Sequence, residues 1–424
     1  MYTYKNYFNV YGRIMQFNKN KTEPFHRWYP FVEGYSKEFI QSIIKEMRAN
    51  NLTCLEPFSG SGTTALELQN SGIECYSFEV NPLMYLIARV KLEQNYSLDM
   101  VNEWFRFICE HRDDERNIEL ETEFKTLYQR DDIEKWNYNT EVAMDIQKLN
   151  YAIGLIDDNV YSDLFKVALS SILLDVSNLY RNGKCLSYKR NWKDRKYNDK
   201  EVFEKFDNKV LNELIPDIRD SRTKTLIDNK QRLFNLDSRS GIAEKIEDES
   251  IDLVITSPPY LNSRDYTDTY MLELKTMGFT KNSDDIRELR EKTLRSHVQI
   301  KWTDNTTVVN DELNEILKKL ELAANKGETW NTSIVDMVRL YFVDMQNIFR
   351  ILFKKLKKKG KIYFNVSNSA YFNILINTLE ICASIAEDEG FKVIEIREAR
   401  KLKTSPQQKE KIGNLLEGVI VLQK

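Results

Sequence analysis

The chain has 424 residues, 42% hydrophobic and 30% charged, with a formal net charge of −3; this is the composition of a folded soluble protein, not of a disordered or fibrous one. No run of about 18 apolar residues occurs, and the start MYTYKNYFNVYGRIMQFNKN has no apolar signal core, so a cytoplasmic location without a membrane partner is expected. Five scattered cysteines and three histidines argue against a disulfide framework or a metal site, and the near-neutral charge confines any nucleic-acid surface to a local patch.

The first clear element order runs from residue 51 to 92. Leu52–Leu55 reads as a strand, EPFSGSGTTALELQNSG as a turn into a helix, Ile73–Val80 as a second strand, and a second helix starts near Asn81-Pro82. That order is a βαβ unit with parallel strands. From about Glu93 to Lys230 the chain turns to charged amphipathic stretches without obvious strands, which predicts a mainly helical insertion. Strands resume at Gln231–Asn235, Ile251–Ile255, Lys361–Val366, Phe391–Ile396 and Gly418–Leu422, with helical periodicity over 334–356 and 373–389. One interrupted α/β domain (1–92 and 231–424), with 93–230 inserted, accounts for the pattern.

Glycine is scarce, at 14 residues, yet Gly60, Gly62 and Gly72 fall close together. Gly-x-Gly between strand and helix permits a tight turn and close approach of a ligand to the main chain. Glu79, ending the next strand, stands where a carboxylate bonds ribose hydroxyls. Ala65 replaces the third glycine of a dinucleotide site, and Gly62-Thr63-Thr64 lacks the lysine of a phosphate loop. A nucleoside without a pyrophosphate, such as S-adenosylmethionine, fits.

The strand 251–255 ends in Thr256-Ser257-Pro258-Pro259-Tyr260, spending two of only eight prolines on one turn. Proline fixes φ and lacks an N–H, so the segment is stiff, extended and rich in free carbonyls. At the carboxyl end of a parallel strand it would present the Ser257 hydroxyl, the Pro258 carbonyl and the Tyr260 ring to a ligand. Those groups suit a planar exocyclic amine: two acceptors draw its nitrogen toward tetrahedral geometry, localising the lone pair, while its ring stacks on tyrosine.

Together EPFSGSGTT and TSPPY resemble the S-adenosylmethionine-dependent amino-methyltransferases of DNA, in the Ser-Pro-Pro-Tyr form associated with cytosine N4. His26–Phe31 with Glu33–Ser36, Asn235–Arg239, Asn365–Ser369 and Lys403–Gln408 resemble further segments of that family. The resemblance covers 24–92 and 231–424 and is weak between them. It implies a class I fold, a Rossmann-like, mostly parallel seven-stranded sheet, with the helical insertion as a candidate DNA-recognition region. It implies that Trp28, Tyr29 and Pro30 belong to a segment closing over the methionine end of the cofactor. Glu56 and the turn Pro57, Phe58, Ser59, Gly60, Ser61, Gly62, Thr63 and Thr64 would hold the methionine moiety. Glu79 with Val80 would take the ribose, and Asp237 with Ser238 the adenine; Leu236 departs from the glycine usual before that Asp. Ser257, Pro258, Pro259 and Tyr260 would take the target base.

A base inside a duplex cannot reach a buried donor, so the target must be flipped out. The most basic window, Arg181–Lys200, carries eight Lys/Arg against two Asp, with Tyr188, Trp192 and Tyr197 interleaved. Lys184, Lys189, Arg190, Lys193, Arg195 and Lys196 are therefore candidate DNA contacts. Arg295 and His297, in the stretch 287–302 after the catalytic turn, are further candidates. Lys354–Lys361 reads instead as a helix C-terminus capped at Gly360. The expected activity is site-specific N4-cytosine methylation of double-stranded DNA, alongside a possible cognate restriction endonuclease. Adenine-N6 or RNA methylation, a non-catalytic cofactor-binding DNA reader and a nicotinamide oxidoreductase are the alternatives.

Overall fold

The computed structural model describes residues 2–48, 51–113, 119–183, 185–195, 198, 200–220, 225–262, 265–404 and 409–424. Its centre is an eight-stranded sheet. In chain order the strands are β1 (Tyr4–Asn6), β2 (Thr53–Glu56), β3 (Glu74–Phe78), β4 (Leu233–Phe234), β5 (Ile251–Thr256), β6 (Leu356–Ser367), β7 (Lys392–Lys403) and β8 (Asn414–Gln423). Their spatial order is β1-β7-β8-β6-β5-β2-β3-β4. Only β8 runs antiparallel to its neighbours; every other pairing is parallel.

The predicted sheet had seven strands, and the eighth is β1. It pairs Tyr4 with Ile396 and covers the otherwise open edge of β7, a long edge that would otherwise offer unpaired N–H and C=O groups. At three residues, β1 is too short for its alternation to stand out in sequence.

The period-two alternation of strands splits the core into two layers. Leu55, Val254, Ile362, Phe364, Ile420 and Leu422 face the helices Ile334–Lys355 and Thr378–Asp388. Cys54, Leu253, Ile255, Tyr363, Val419 and Val421 face Phe39, Ile40 and Ile43 of the helix Lys37–Met47. Central strands covered on both faces read as near-continuous apolar runs, which is why β5 is legible in sequence.

Between Leu92 and Leu233 the chain forms a helical block: Leu98–His111, Thr140–Gly154, Asn159–Val176 and Glu201–Lys209, the last continuing through a π turn into Ile215–Asp220. Its apolar side chains share one cluster with Leu83, Ile87 and Val90 of the helix Pro82–Leu92. A hairpin, Leu179–Asn182 with Cys185–Tyr188, interrupts what reads as wholly helical. The Lys354–Lys361 reading also needs correcting. The helix ends at Lys355, Leu356 is already extended, and residues 356–360 belong to β6. Gly360 is held in the sheet by the bond from the Lys424 N–H to its carbonyl.

Candidate active site

The carboxyl ends of β2, β3 and β5 open on one side of the sheet into a cavity of about 1320 Å³. Ligands in open α/β sheets lie at such an edge. On the first side of this cavity lies the glycine turn. Gly60 (φ +52°) and Gly62 (φ +82°) adopt the left-handed region. A Cβ on Gly62 would stand 2.8 Å from the Ala88 Cβ, and one on Gly60 would stand 3.0 Å from the Phe31 ring. The turn therefore packs flat between the helix Pro82–Leu92 and Phe31, which only glycine permits.

Glu79 directly follows β3 and joins the cavity wall. Its carboxylate accepts from the Gly60 N–H (2.7 Å) and the Asn81 N–H (2.8 Å), and the Asn235 side chain holds its carbonyl. Burial nevertheless pushes its pKa up to about 7. Pro57, Phe58, Ser59, Thr63, Thr64, Val80, Asp237 and Ser238 line the cavity with it. The Ser59 hydroxyl, on the cavity wall, is buried without a partner among the described residues, which is where a polar ligand tail would find a donor.

Asp237 caps the helix Ser238–Lys245 by accepting from the Arg239 N–H, and it also binds the Arg239 guanidinium (2.7 Å). That guanidinium is shared with Asp344. Glu56 differs from its expected role. It lies behind the wall and accepts from Thr256 (2.6 Å), Tyr35 (2.7 Å), Thr64 (2.8 Å) and the Phe58 N–H (3.1 Å). Its carboxyl, raised to about 7 by burial, ties β2, β5 and the glycine turn together. Gly62 and Ser61 also sit behind the lining residues.

The segment expected to close over the cofactor is displaced by a few residues. Trp28 donates to Asp217 (2.8 Å), and Tyr29 donates to Glu273 (3.0 Å). Both are fully buried, and they anchor the segment to the helical block and to the chain after the Ser257–Tyr260 turn; Pro30, which follows them, does not line the cavity. Phe31, Val32, Glu33, Gly34 and Tyr35 face the cavity instead. Met15–Asn18 join them, a stretch that carries no motif.

On the far side of the cavity stands the turn after β5. Ser257, Pro258, Pro259 and Tyr260 all line it. The Tyr266 hydroxyl accepts from the Tyr260 N–H (2.9 Å) and from Asn262 (3.1 Å), fixing the turn. The Tyr260 hydroxyl donates to Glu417 (2.6 Å) and accepts from the Asn365 amide (2.6 Å). That amide also reaches the Ser257 hydroxyl (3.3 Å), and Arg400 binds the other Glu417 oxygen. Glu417 is 1% exposed. Sequence reading gave Arg400 and Glu417 no role; the segment 365–369 is recognisable, but the partners of Asn365 are not.

The basic candidates divide. Lys189 donates to the carbonyls of Asp175 (2.8 Å) and Ser177 (2.6 Å), and Arg195 to that of Ser177 (2.9 Å). Both satisfy the end of the helix Asn159–Val176, a use the sequence cannot distinguish from phosphate binding. Arg190 and Lys193 are exposed. Lys184 and Lys196 lie outside the described residues. Arg295 is buried against Asp344 (2.8 Å) and Asp304 (2.7 Å), so its charge is spent inside the fold. His297 lines the cavity, 1% exposed, with Nε2 bonded to Thr293 (3.0 Å).

The chain is 28% identical over 449 residues to Type II methyltransferase M.BsoBI of Geobacillus stearothermophilus, covering 95% of this chain and 86% of that protein. The chain is thus similar over most of its length to a Type II methyltransferase. It is 26% identical over 411 residues to M.AvaI of Anabaena variabilis (91% and 82% covered). It is 24% identical over 386 residues to M.MvaI of Kocuria varians (85% and 80% covered). No family model matches. The matches run through the helical block as well as the sheet, since they span nearly the whole chain. Among the described residues no helix is long and apolar enough to cross a membrane, and no group of three metal-ligating side chains occurs.

Proposed function

We propose that this protein is a site-specific DNA methyltransferase of the class I fold acting on the N4 amine of cytosine. The carrying observation is the cavity that joins the glycine turn and Glu79 to the Ser257–Tyr260 turn, in a chain similar over 95% of its length to a Type II methyltransferase. S-adenosyl-L-methionine is the methyl donor. The wall fits it: Glu79 suits a ribose, the buried Ser59 hydroxyl suits its polar tail, and Leu236 and Phe78 offer apolar contact to a purine. When bound it supplies an electrophilic methyl group.

The protein supplies the geometry around the acceptor. Ser257 and the Pro258 carbonyl accept the two N–H bonds of a flipped amine, and the Tyr260 ring supports its base. Serine at the head of this turn favours cytosine N4. Exposed Arg190 and Lys193 belong to the phosphate-gripping face, the helical block 93–230 is the candidate recognition region, and a restriction endonuclease of the same site is the expected functional partner.

The test is nucleoside mass spectrometry on DNA from methylation-free cells expressing the wild type or Ser257→Ala. The reading requires 4-methylcytosine with the wild type and its loss in the variant. 6-Methyladenine instead would refute the base assignment, and absence of any methylated base would refute the activity.

A further inference from the structure

The Ser257–Tyr260 turn leads to a buried carboxylate that holding a base does not require. Hydrogen-bond directions along the way can be assigned from chemistry. The Asn365 side chain faces three oxygens, those of Tyr260 (2.6 Å), Ser257 (3.3 Å) and the Glu417 carboxylate (3.4 Å). An ionised carboxylate only accepts, so the NH2 end of the amide points at them. The Tyr260 oxygen therefore accepts from Asn365, and its own proton goes to Glu417 at 2.6 Å. Its remaining lone pair receives the Ser257 hydroxyl proton at 3.3 Å. Ser257 is left with a lone pair for the cavity and its proton directed away from it. The three groups form one oriented chain from cavity to carboxylate.

From this we propose that Glu417 is the proton acceptor of the target pocket, reached from Ser257 through the Tyr260 hydroxyl, with Asn365 clamping both hydroxyls. The inference rests on the amino-methylation reading. Once the amine nitrogen has gained a methyl group and a positive charge, one N–H bond must break. Its proton passes to the Ser257 oxygen as that hydroxyl's proton moves to the Tyr260 oxygen. The Tyr260 proton moves to Glu417 Oε1. One carboxylate becomes one carboxylic acid, the amine returns to neutrality, and no co-reactant is consumed.

Two features suit the groups to this task. Burial beside Glu417 holds the Tyr260 hydroxyl far above its ordinary pKa, so it conducts a proton without ionising. Arg400, partly exposed and lining the cavity, binds the second oxygen of Glu417, which leaves Oε1 facing the Tyr260 hydroxyl.

The test uses the full-length protein with a synthetic duplex carrying its mapped site, comparing wild type, Glu417→Gln and Tyr260→Phe. Glutamine keeps the acceptor that orients Tyr260 but cannot take a proton, and phenylalanine keeps the ring but breaks the chain. Single-turnover methyl transfer should fall roughly 100-fold in each. S-adenosylhomocysteine affinity by calorimetry, and base flipping read from 2-aminopurine fluorescence at the target, should stay at wild-type values. The solvent deuterium isotope effect, a multi-proton one in the wild type, should change in both variants. Wild-type transfer rates in Glu417→Gln would overturn the relay. So would a loss confined to base flipping, because Glu417 would then only orient Tyr260. A wild-type protein that methylates no nucleic acid would instead overturn the amino-methylation reading beneath it.

Discussion

Arg181, in the hairpin of the helical block, donates to Glu273 at 2.5 Å, and its guanidinium lies 5.0 Å from the centre of the Tyr270 ring. Glu273 is 1% exposed and also accepts from Tyr29. One buried charge thus joins three regions: the helical block, the segment after the catalytic turn and the segment before the glycine turn. Tyr270 in turn stacks on Phe31 at the cavity (5.8 Å, 6° between planes).

Removing that arginine leaves a carboxylate buried without a counter-charge. Arg181→Ala should cost about 3–5 kcal/mol of stability, measured by urea unfolding. Arg181→Ala combined with Glu273→Gln should recover part of the loss. With Glu273→Gln measured alone as well, a double-variant loss equal to the sum of the two single losses would mean the pair carries no coupling.

The glycine turn predicts a steric result. Gly62→Ala places a methyl group against Ala88 at a φ of +82°, so both overpacking and backbone strain apply. A loss of about 1–3 kcal/mol is expected, with weakened S-adenosylhomocysteine binding. Gly72→Ala serves as the comparison: it has positive φ but nothing within 4 Å of the added Cβ, so it should show strain alone and leave cofactor affinity intact.

Glu56 predicts a pH dependence with a definite sign. Burial raises its folded pKa from 4.5 to about 7, so the folded state binds the proton more tightly than the unfolded state does. Its contribution to stability is fully present below about pH 4.5 and is lost as pH rises through 7. The change across that window is on the order of 3 kcal/mol. In Glu56→Gln that component disappears, so the difference in unfolding free energy between variant and wild type should shift in the variant's favour from pH 5 to pH 8. A constant difference would show that the carboxyl titrates normally. Glu79, also raised to about 7 by burial, adds a component of the same sign that Glu56→Gln leaves in place.

The basic window should separate by function. Arg190→Ala and Lys193→Ala should each lower the salt slope of DNA binding by about 1 and leave the melting temperature unchanged. Lys189→Ala should lower the melting temperature, because it uncaps the helix Asn159–Val176. An unchanged salt slope in Arg190→Ala and Lys193→Ala would move the phosphate-gripping face elsewhere.

What was legible in the sequence follows from how each feature is encoded. The glycine turn and the Ser-Pro-Pro-Tyr turn are backbone requirements. Glycine at positive φ and proline without an N–H act on their own neighbours, so a short window is enough to recognise them. Strands β2, β5 and the central part of β6 are equally local, because burial on both faces makes each a continuous apolar run. The chain by itself therefore determined the order of the main sheet strands and the positions of the glycine turn and the Ser257–Tyr260 turn.

The long-range pairings were decided only in three dimensions. Glu417 reaches the Ser257–Tyr260 turn because β8 pairs it with Ser367 on β6 and with Arg400 on β7, and Asn365 arrives two residues before Ser367. A one-residue slip in either register would turn those side chains to the other face. The same reason separates Lys189 and Arg195, which cap a helix, from Arg190 and Lys193, which do not. A cation has the same chemistry beside a carbonyl as beside a phosphate, and only the folded chain fixes which of them lies within reach.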